Sequence, residues 1–297
     1  MRELQLLQRI ASRSADLPID FPSVIVGPGD DCAVIAPHHR PLVLTTDHLV
    51  QHRHFDDDLP IELIARKAVL RSLSDIAAMA AEPAWALATA LLPVGYAHAD
   101  ELFDHMARFA RQFGCPLVGG DIATLPKGVQ GPMSLTVTIG GHAAEPLLRS
   151  TARPGDLVYV TGALGGSLVN QRHAKATPRI AEARTLADSA IIHAMIDLSD
   201  GLGLDTARIA RASNVRIELD ARLIPIHPDA NGLDAAIGDG EDYELLFTAP
   251  SEAPIPNATG NTPITQIGRV IEGQPATILN MLDGDQRDIS DKGFEHG

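Results

Sequence analysis

The segment AMIDLSDGLGLD, residues 194–205, places a short apolar run before two aspartates and a glycine, and a helix is predicted after Asp200. Asp197 and Asp200 would therefore stand at the end of an apolar run, which is where an α/β scaffold presents its functional groups. The same pattern recurs upstream, where further aspartates end apolar runs beside Gly, Ser or Thr. These are Asp30, Asp31, Asp47, Asp75 and Asp121.

Around these aspartates the chain alternates between apolar runs of strand length and helical patterns. Residues 98–113 are typical of an amphipathic helix, because apolar side chains recur there every three or four positions. Helices are also predicted over residues 2–14, 60–81 and 179–194. Strands are predicted over residues 24–26, 32–36, 41–46, 85–92, 115–118, 134–139, 157–161, 215–219, 243–248 and 264–270. Strands mixed with helices in both halves predict two α/β or α+β domains, with a boundary within residues 140–154.

Composition narrows the possible partners. The 297 residues suffice for two domains of about 150 residues each. Lys and Arg total 24 against 38 Asp and Glu, and the resulting net charge of −14 repels the phosphates of nucleic acid and anionic lipid. A phosphate-bearing substrate would need cations to mediate its binding.

Cysteine usage and apolar segments favour a cytoplasmic protein. Cys32 and Cys115 lie far apart and form no CxxC pair, so neither a disulfide framework nor a zinc knuckle is indicated. The start MRELQLLQRI lacks the apolar core of a signal peptide. The longest mostly apolar stretch, residues 84–93, is too short to span a bilayer.

The seven aspartates favour a metal site when they are taken together. Any one of them alone is more often a turn or helix-capping residue. Two like charges about 4 Å apart repel by about 4 kcal/mol at an effective dielectric of about 20, so a cluster of four or more needs bound cations. Oxygen ligands without Cys select hard ions such as Mg²⁺, which completes its shell with water and substrate phosphates. The residues therefore predict a multi-magnesium site for phosphoryl transfer.

The common phosphate and nucleophile motifs are missing. The sequence contains no G-x-x-x-x-G-K-[ST], which excludes a P-loop, and no HExxH. The turn GALGGS, residues 162–167, is compatible with amides that face a phosphate or with a plain turn. DLSDG, residues 197–201, has Asp in place of the first Gly of a nucleophile elbow, which disfavours a Ser hydrolase. His52 and His54 form an H-x-H pair without a third ligand in a recognisable spacing, so a transition-metal site is not favoured.

Two polar segments of the second half keep two interpretations each. Arg149 precedes a predicted strand and could bind a phosphate bidentately or pair with a neighbouring carboxylate. Glu241 and Asp242, in GDGEDYELLF (residues 238–247), follow a glycine turn, where exposed acids of a hairpin are the simplest interpretation.

Taken in order, these motifs resemble the thiamine-monophosphate kinase family, a branch of the aminoimidazole ribonucleotide synthetase-like ATP-binding superfamily. The match runs nearly end to end. Its motifs are GPGDDCAVI (27–35), TTDHLVQHRHF (45–55), LSDIAAMAAEPAW (73–85), GGD (119–121), SLTVTIGG (134–141), RSTARPGDLVYVTGALGGS (149–167), MIDLSDGLGLD (195–205), GEDYELLFT (240–248) and GFEH (293–296). GDD, TTD and SDG are shared across the superfamily, whereas the segments DHLV…HF, SD-AAM-A-P and GEDYELLFT are specific to the kinase branch.

The resemblance implies a two-domain fold and a reaction. Residues 1–142 would form an ATP- and magnesium-binding domain whose sheet pairs across a homodimer, and residues 143–297 a C-terminal α/β domain. ATP would phosphorylate thiamine monophosphate to thiamine diphosphate by direct in-line transfer, without a phosphoenzyme and with several Mg²⁺ ions. Nucleic acid and membrane are not expected as partners.

The resemblance also implies roles for single residues. Those expected to hold magnesium are Asp31, Thr45, Thr46, Asp47, Asp75, Asp121, Asp197 and Asp200. Those expected to contact ATP are Gly120, Asp121, Arg149 and Ser199. Those expected to contact the thiamine phosphate are His54, Glu241 and Phe294, and Asp30 would stand beside the metal ligands. No dedicated catalytic side chain is expected.

The sequence departs from the family pattern at several positions. Gln51 stands where Glu is usual, Ser72 where Asn is usual, and Phe294 where an aromatic residue with a hydroxyl is frequent. IATLPKG, residues 122–128, replaces the usual TTRG and affects the phosphate contacts expected after Asp121. The stretch between Ser167 and Asp197 is shorter than usual.

Three other functions compete with the kinase. A sister enzyme, such as aminoimidazole ribonucleotide synthetase or selenophosphate synthetase, would share the carboxylates, although the selenium enzyme would carry a reactive Cys that Cys32 does not match in position. A metal-dependent phosphohydrolase would release phosphate without an acceptor. A catalytically silent nucleotide-binding module is the third alternative, although the set of predicted metal ligands looks intact in this sequence.

Overall fold

The computed structural model describes residues 3–28, 32–189 and 191–295. The chain forms two compact units. Unit 1 holds Met1–Ile76 and Glu82–Ala144, and unit 2 holds Ala77–Ala81 and Glu145–Gly297. Each unit has its own sheet with helices, which confirms the predicted α/β (α+β) class. Within these described ranges, no helix is both long and apolar enough to cross a membrane.

Unit 1 contains six strands and four helices in its described residues. The strands are β1 (Val24–Val26), β2 (Val34–Ile35), β3 (Leu42–Val50), β4 (Glu82–Leu92), β5 (Leu117–Thr124) and β6 (Ser134–His142). The helices are α1 (Glu3–Arg13), α2 (Leu17–Asp20), α3 (Ile61–Ala78) and α4 (Ala99–Gln112).

The main sheet of unit 1 has the strand order β3-β6-β4-β5, and β1 pairs separately with β2. β4 and β5 are parallel, whereas β6 is antiparallel to both of its neighbours. Helix α3 packs on one face of this sheet, because Asp75 and Ser72 of α3 contact Thr45 and Asp47 of β3. This face carries the first part of the candidate site.

Unit 2 contains eight strands, four α-helices and a short 3-10 helix (Val169–Gln171) in its described residues. The strands are β7 (Leu157–Thr161), β8 (Ala194–Asp197), β9 (Arg216–Asp220), β10 (Leu245–Ala249), β11 (Ala258–Thr259), β12 (Thr262–Ile271), β13 (Ala276–Asn280) and β14 (Gln286–Asp288). The helices are α5 (Arg172–Lys175), α6 (Ile180–Ser189), α7 (Leu202–Ser213) and α8 (Gly232–Gly238).

The sheet of unit 2 has the order β14-β13-β9-β12-β7-β10-β8, and β11 adds to β12. The β9–β13 pair is parallel, and the other pairs are antiparallel. β8 and β10 are buried along their whole length, as expected for strands covered on both faces. The segment DLSDG begins at the end of β8, next to this buried core.

The structure corrects one predicted helix. The helix predicted over residues 179–194 ends at Ser189 as α6, and Ala194–Asp197 form β8. Four residue pairs with β10, from Thr248↔Ala194 to Leu245↔Asp197, define this segment as a strand. A short apolar run is compatible with either state, and its pairing with a buried neighbour decides between them.

Two predicted strands continue further than expected. β3 reaches Val50 rather than residue 46, and β5 reaches Thr124 rather than residue 118, because both stay paired with their neighbours. Asp47 and Asp121 therefore lie inside strands, and Asp75 lies inside α3. The expectation that Asp47 and Asp121 follow the ends of strands is wrong, whereas Asp75 lies inside the helix predicted over residues 60–81 and Asp197 does end β8.

Candidate active site

Two aspartates of unit 1, which we call the acid pair, face each other between β3 and α3. The carboxyl groups of Asp47 and Asp75 lie close enough to act on each other electrostatically. The Thr45 hydroxyl donates a hydrogen bond to Asp75 Oδ2, and Ser72 Oγ donates to Asp47 Oδ2 at 3.2 Å. Arg71 Nη2 lies 3.6 Å from Asp47 Oδ1. Ser72 therefore supports Asp47 directly, although Asn is the usual family residue at this position.

The acid pair is costly in its ionised form. Burial and the neighbouring Asp75 carboxyl raise the pKa of Asp47 to about 6, against the opposing influence of Arg71. A divalent cation would relieve this repulsion, and two carboxylates with a hydroxyl are the hard oxygen donors that Mg²⁺ takes. The side chains of Asp47, Asp75 and Thr45 therefore fit a magnesium ion.

Asp121 lies on the other face of the same sheet. Thr46 and His48 alternate with Asp47 along β3, so their side chains lie on the face opposite α3. In the strand register, His48 stands opposite Thr136 of β6, which stands opposite Thr89 of β4, and Thr89 stands opposite Asp121 of β5. Asp121 therefore lies on the same face as His48. Unit 1 therefore does not bring Asp121 or the Thr46 hydroxyl to the acid pair.

Gly120 and Asp121 instead line a cavity of about 1230 Å³ in unit 1. Trp85 and Phe103 supply apolar wall to this cavity. Glycine is required at position 120, because a Cβ there would lie 1.8 Å from the carbonyl oxygen of Ala88 on the adjacent strand. The cavity exceeds the range of about 300–1,000 Å³ that is typical of small-molecule sites, so it has room for a nucleotide.

His54 lies in the loop between β3 and α3. Its Nδ1 accepts the Val50 N–H at 2.9 Å, and its carbonyl oxygen accepts Nζ of the buried Lys67 at 2.5 Å. Gln51 Oε1 accepts the Met133 N–H at 2.8 Å, which ties the same loop to the start of β6. The Gln at this position, where the family usually has Glu, therefore contributes to the shape of the loop.

In unit 2, the loop 199–201 is held by a residue that the sequence analysis did not single out. Asp205 Oδ2 accepts the backbone N–H groups of Ser199 at 3.1 Å, Asp200 at 2.9 Å and Gly201 at 3.1 Å. Burial raises the pKa of Asp205 to about 6, although Arg208 and the amide donors favour its charged form. Asp205 therefore shapes the loop that carries Ser199 and Asp200.

Arg208 links this loop to α7. Its Nη2 lies 2.6 Å from Asp200 Oδ2, and its Nη1 donates to Asp205 Oδ1.

Asp197 is buried at the end of β8. Arg149 is exposed, and its carbonyl oxygen accepts Ser213 Oγ at 2.8 Å.

The segments that carry Glu241 and Phe294 meet the same loop through backbone contacts. The Glu241 N–H donates to Ser199 O at 2.8 Å, and the Phe294 N–H donates to Asp200 O at 2.8 Å. Gly293 permits this approach, because a Cβ there would lie 2.5 Å from Asp200 O. Four predicted site residues, Ser199, Asp200, Glu241 and Phe294, therefore lie together in unit 2.

The glycine turn 162–167 has a structural role. The Gly165 N–H donates to Asp242 Oδ1 at 3.0 Å, and the Gly166 N–H donates to Asp239 Oδ2 at 2.8 Å. Arg172 adds hydrogen bonds to the Gly165 carbonyl and to Asp242. Carboxylates of the protein thus take two of the amides that a phosphate would need, and this favours the plain turn over a phosphate loop.

The segment 241–244 contains two buried acids, Asp242 and Glu244, besides the half-buried Glu241. Glu244 receives Arg179 Nε at 2.8 Å and Nη2 at 2.6 Å, as well as the Thr161 hydroxyl at 2.6 Å. Asp242 receives the glycine turn and Arg172, as above. The two buried acids are therefore structural, which corrects the expectation that Asp242 is an exposed turn residue.

Within the described ranges, no group of three or more His, Cys, Asp or Glu side chains is arranged to hold a metal ion. The expected convergence is thus seen for the two residues of the acid pair. Asp30 and Asp31 lie outside the described residues.

Sequence reasoning missed the residues that hold the site rather than form it. Arg172 and Arg179 lie 70 and 65 residues from their partners Asp242 and Glu244 along the chain, and pattern does not reveal such pairs. Asp205 and Arg208 pair locally within α7 and with the loop before it. Asp205 had one signal, because a carboxylate one turn into a helix often accepts amides from the preceding loop.

Comparison with known proteins follows the division into two halves. Residues 29–143 match the N-terminal domain of the AIR synthase related proteins, and residues 153–279 match their C-terminal domain. The thiamine-monophosphate kinase of Rhodopirellula baltica is 36% identical over 300 residues, covering 93% of each chain. That of Escherichia coli K12 is 33% identical, covering 99% of this chain and 98% of its own.

Solved structures agree in fold. The thiamine-monophosphate kinase of Stenotrophomonas maltophilia K279a superposes with a TM-score of 0.75 at 30% identity, covering 96% of this chain and 98% of its own. AaThiL complexed with AMPPCP and TMP superposes with a TM-score of 0.76 at 28% identity, covering 100% of this chain and 99% of its own. The chain therefore belongs to the AIR synthase related proteins and, within them, to the thiamine-monophosphate kinase family.

Proposed function

We propose that this protein is a thiamine-monophosphate kinase, which transfers a phosphoryl group from ATP to thiamine monophosphate (TMP) and forms thiamine diphosphate. The observation that carries this proposal is the end-to-end similarity to curated kinases of this name, at 36% and 33% identity. A relative solved with an ATP analogue and TMP supports the pairing of these two substrates.

Magnesium is the proposed metal. Asp47, Asp75 and Thr45 would hold one ion on the face of the sheet opposite the cavity of Gly120 and Asp121, and the ion would supply charge neutralisation to a phosphate group on that face. The family resemblance extends the proposed ligand set to further residues, some of which lie apart from the acid pair in this structure. These are Asp31, Thr46, Asp121, Asp197 and Asp200.

ATP is proposed to occupy the cavity of unit 1 that Gly120 and Asp121 line. Its apolar wall suits a base, and its large volume suits the rest of a nucleotide. Ser199 and Arg149 of unit 2 are the further proposed contacts. Arg149 is exposed, so its guanidinium is available to a phosphate.

TMP is proposed to contact His54, Glu241 and Phe294. Phe294 is 37% exposed, so its ring offers a stacking surface to the aromatic rings of thiamine. Glu241 supplies a carboxylate that attracts the positive charge of the thiazolium ring. The contacts of the Val50 N–H and Lys67 hold the loop of His54 in place.

The proposed transfer is direct and in line, because the acceptor is already a nucleophile. A phosphate monoester loses its second proton with a pKa of about 6, so it is ionised at neutral pH and needs no general base. The protein's own contribution is to position two anions and to shield their charges.

The proposed protein is a homodimer. Residues 1–142 would form its ATP-binding and dimerisation domain, and residues 143–297 its C-terminal domain. Strand β3 is an edge strand of its sheet, and its residues Leu42 and Leu44 are 51% and 59% exposed. An edge strand with exposed apolar side chains is suited to pairing with a second copy.

A product assay tests the function. Purified protein is incubated with ATP and Mg²⁺, with TMP or thiamine offered in parallel and a third sample without acceptor. Thiamine diphosphate formed from TMP, and no phosphorylated product from thiamine, is the expected result. Phosphate release from ATP that is independent of either acceptor would instead indicate the phosphohydrolase.

Trp85 offers a separate test of ATP binding. It is the single tryptophan of the chain and lines the same cavity as Gly120 and Asp121. AMPPCP with Mg²⁺ is expected to change its fluorescence in a saturable manner, and Asp121→Asn should weaken this response. An unchanged titration in the variant would contradict the role of Asp121.

A further inference from the structure

Two residues of the segment 240–244 adopt a backbone conformation that is rare for residues other than glycine. Glu241 has φ 53° and Tyr243 has φ 54°, both in the left-handed region, and neither is glycine. Such residues persist where their surroundings hold them, and they concentrate at functional sites.

The surroundings of this segment hold it from both sides. The Glu241 N–H donates to Ser199 O, and the Tyr243 N–H donates to Leu198 O at 2.9 Å. The intervening Asp242 is 2% exposed and is bound to the glycine turn and to Arg172. The backbone on either side of Glu241 is therefore fixed before any ligand arrives.

The Tyr243 side chain acts on the Glu241 side chain directly. Tyr243 is 2% exposed, and its hydroxyl donates a hydrogen bond to Glu241 Oε1 at 3.3 Å. A buried phenol needs a partner for its O–H, and the Glu241 carboxylate is the acceptor available to it. The left-handed turn at both residues is what brings the side chains of i and i+2 to the same place.

We propose that Tyr243 is a positioning residue for substrate binding: its hydroxyl holds the Glu241 carboxylate in the orientation that receives the cationic thiamine moiety of TMP. This inference rests on the proposed function and adds to it a residue that acts through Glu241 without touching the substrate.

The first test is Tyr243→Phe, which removes the hydroxyl and keeps the ring. Tyr159→Phe is the matched control, because Tyr159 is also a buried tyrosine of unit 2 and stacks on Phe247. Loss of one charge-assisted hydrogen bond is expected to raise the KM for TMP by about three- to tenfold. The kcat and the KM for ATP should stay within about twofold of the wild type, because the hydrogen bond acts before the chemical step.

Calorimetric binding of TMP in the presence of AMPPCP and Mg²⁺ gives a readout without turnover. The Kd for TMP should rise in Tyr243→Phe by the same factor as the KM, and Tyr159→Phe should leave it unchanged. A general loosening of the fold would raise the KM for ATP and TMP together. That result would overturn the inference.

A double-mutant cycle shows whether Tyr243 acts through Glu241. In a Glu241→Ala background, Tyr243→Phe should change the Kd for TMP by less than about twofold, because the group that it positions is gone. Additive effects of the two substitutions, or wild-type TMP binding by Tyr243→Phe alone, would overturn the inference and leave the kinase activity in place. Absence of TMP turnover by the wild type would overturn the proposed function itself, and with it the inference.

Discussion

The half-buried acids of unit 1 and the buried acids of unit 2 have opposite surroundings. In unit 1, Asp47 lies against a second carboxylate, that of Asp75, and the Arg71 guanidinium is 3.6 Å away. In unit 2, Glu244 meets Arg179 at 2.6 Å through a two-pronged contact, and Asp242 meets Arg172. Acids neutralised by arginines hold the fold together, whereas acids placed against each other cost free energy until a cation arrives. The arginine-paired acids of unit 2 are therefore structural, and the acid pair of unit 1 is the proposed metal site.

The largest expected effect is on the stability of unit 2. Arg179→Met leaves Glu244 buried without its cation, so the free energy of unfolding should fall by about 3–5 kcal/mol. Urea denaturation at pH 7 measures this loss. Arg184→Met is the matched control, because Arg184 is an exposed arginine of α6, the helix that begins directly after Arg179. Equal losses in the two variants would contradict the structural role of the buried pair.

The next effect concerns the acid pair of unit 1. Asp47→Asn should lower kcat/KM by about 100-fold or more at saturating Mg²⁺, because a ligand to the ion that shields the phosphates is lost. Without metal, the same variant should be at least as thermally stable as the wild type, since one of two like charges is removed. Asp100→Asn, an aspartate of unit 1 paired with Arg9 and Arg13, is the control. Near-normal turnover in Asp47→Asn would exclude the metal role.

A pH dependence sharpens the same point. The pKa of Asp47 is raised to about 6, above its ordinary value of 3.8, so the metal-free fold is stabilised by protonation and loses that contribution as the pH rises from 3.8 towards 6. Mg²⁺ binds the ionised form. Its affinity, measured by calorimetry, should therefore fall by about tenfold between pH 7 and pH 5. Asp47→Asn should lack this step, and an equal pH dependence in the variant would assign it to another group.

The smallest effect is expected for an ion pair at the surface of unit 2. Arg269 Nη2 lies 2.9 Å from Glu218 Oε2, but the arginine side chain is 66% exposed. Arg269→Ala should change the free energy of unfolding by less than about 1 kcal/mol, because solvent screens such pairs. A loss as large as that of Arg179→Met would show that burial is not what separates the two arginines.

Local pattern predicted the elements that carry their own signal. The helix over residues 98–113 is present as α4, and the strand over residues 157–161 is present as β7, because periodicity and a bounded apolar run are properties of short segments. The helix over residues 179–194 was wrong at its end, and β13 and β14 near the C-terminus were not predicted. β8, β13 and β14 are each defined by the strands that they pair with. Pairing between distant segments cannot be detected from the residue pattern of one short segment.

For the candidate site, motif order sufficed for the family and for the candidate residues. It did not show that Asp47 and Asp121 lie on opposite faces of one sheet, because that depends on the register of three neighbouring strands. Nor did it separate Glu241 from Asp242, two adjacent acids. Burial and an arginine partner decide that Asp242 is structural.

Residue order and composition alone were enough to establish an acidic α/β protein, its family and a set of aspartates suited to Mg²⁺, because these are properties of residues and of their local spacing. Which aspartates meet, which amides of the glycine turn are already taken, and which tyrosine holds Glu241 were settled by three-dimensional packing. The physical reason is that charge repulsion, burial and hydrogen bonding act over a few ångströms in space, and residues far apart in the chain come that close only through the fold.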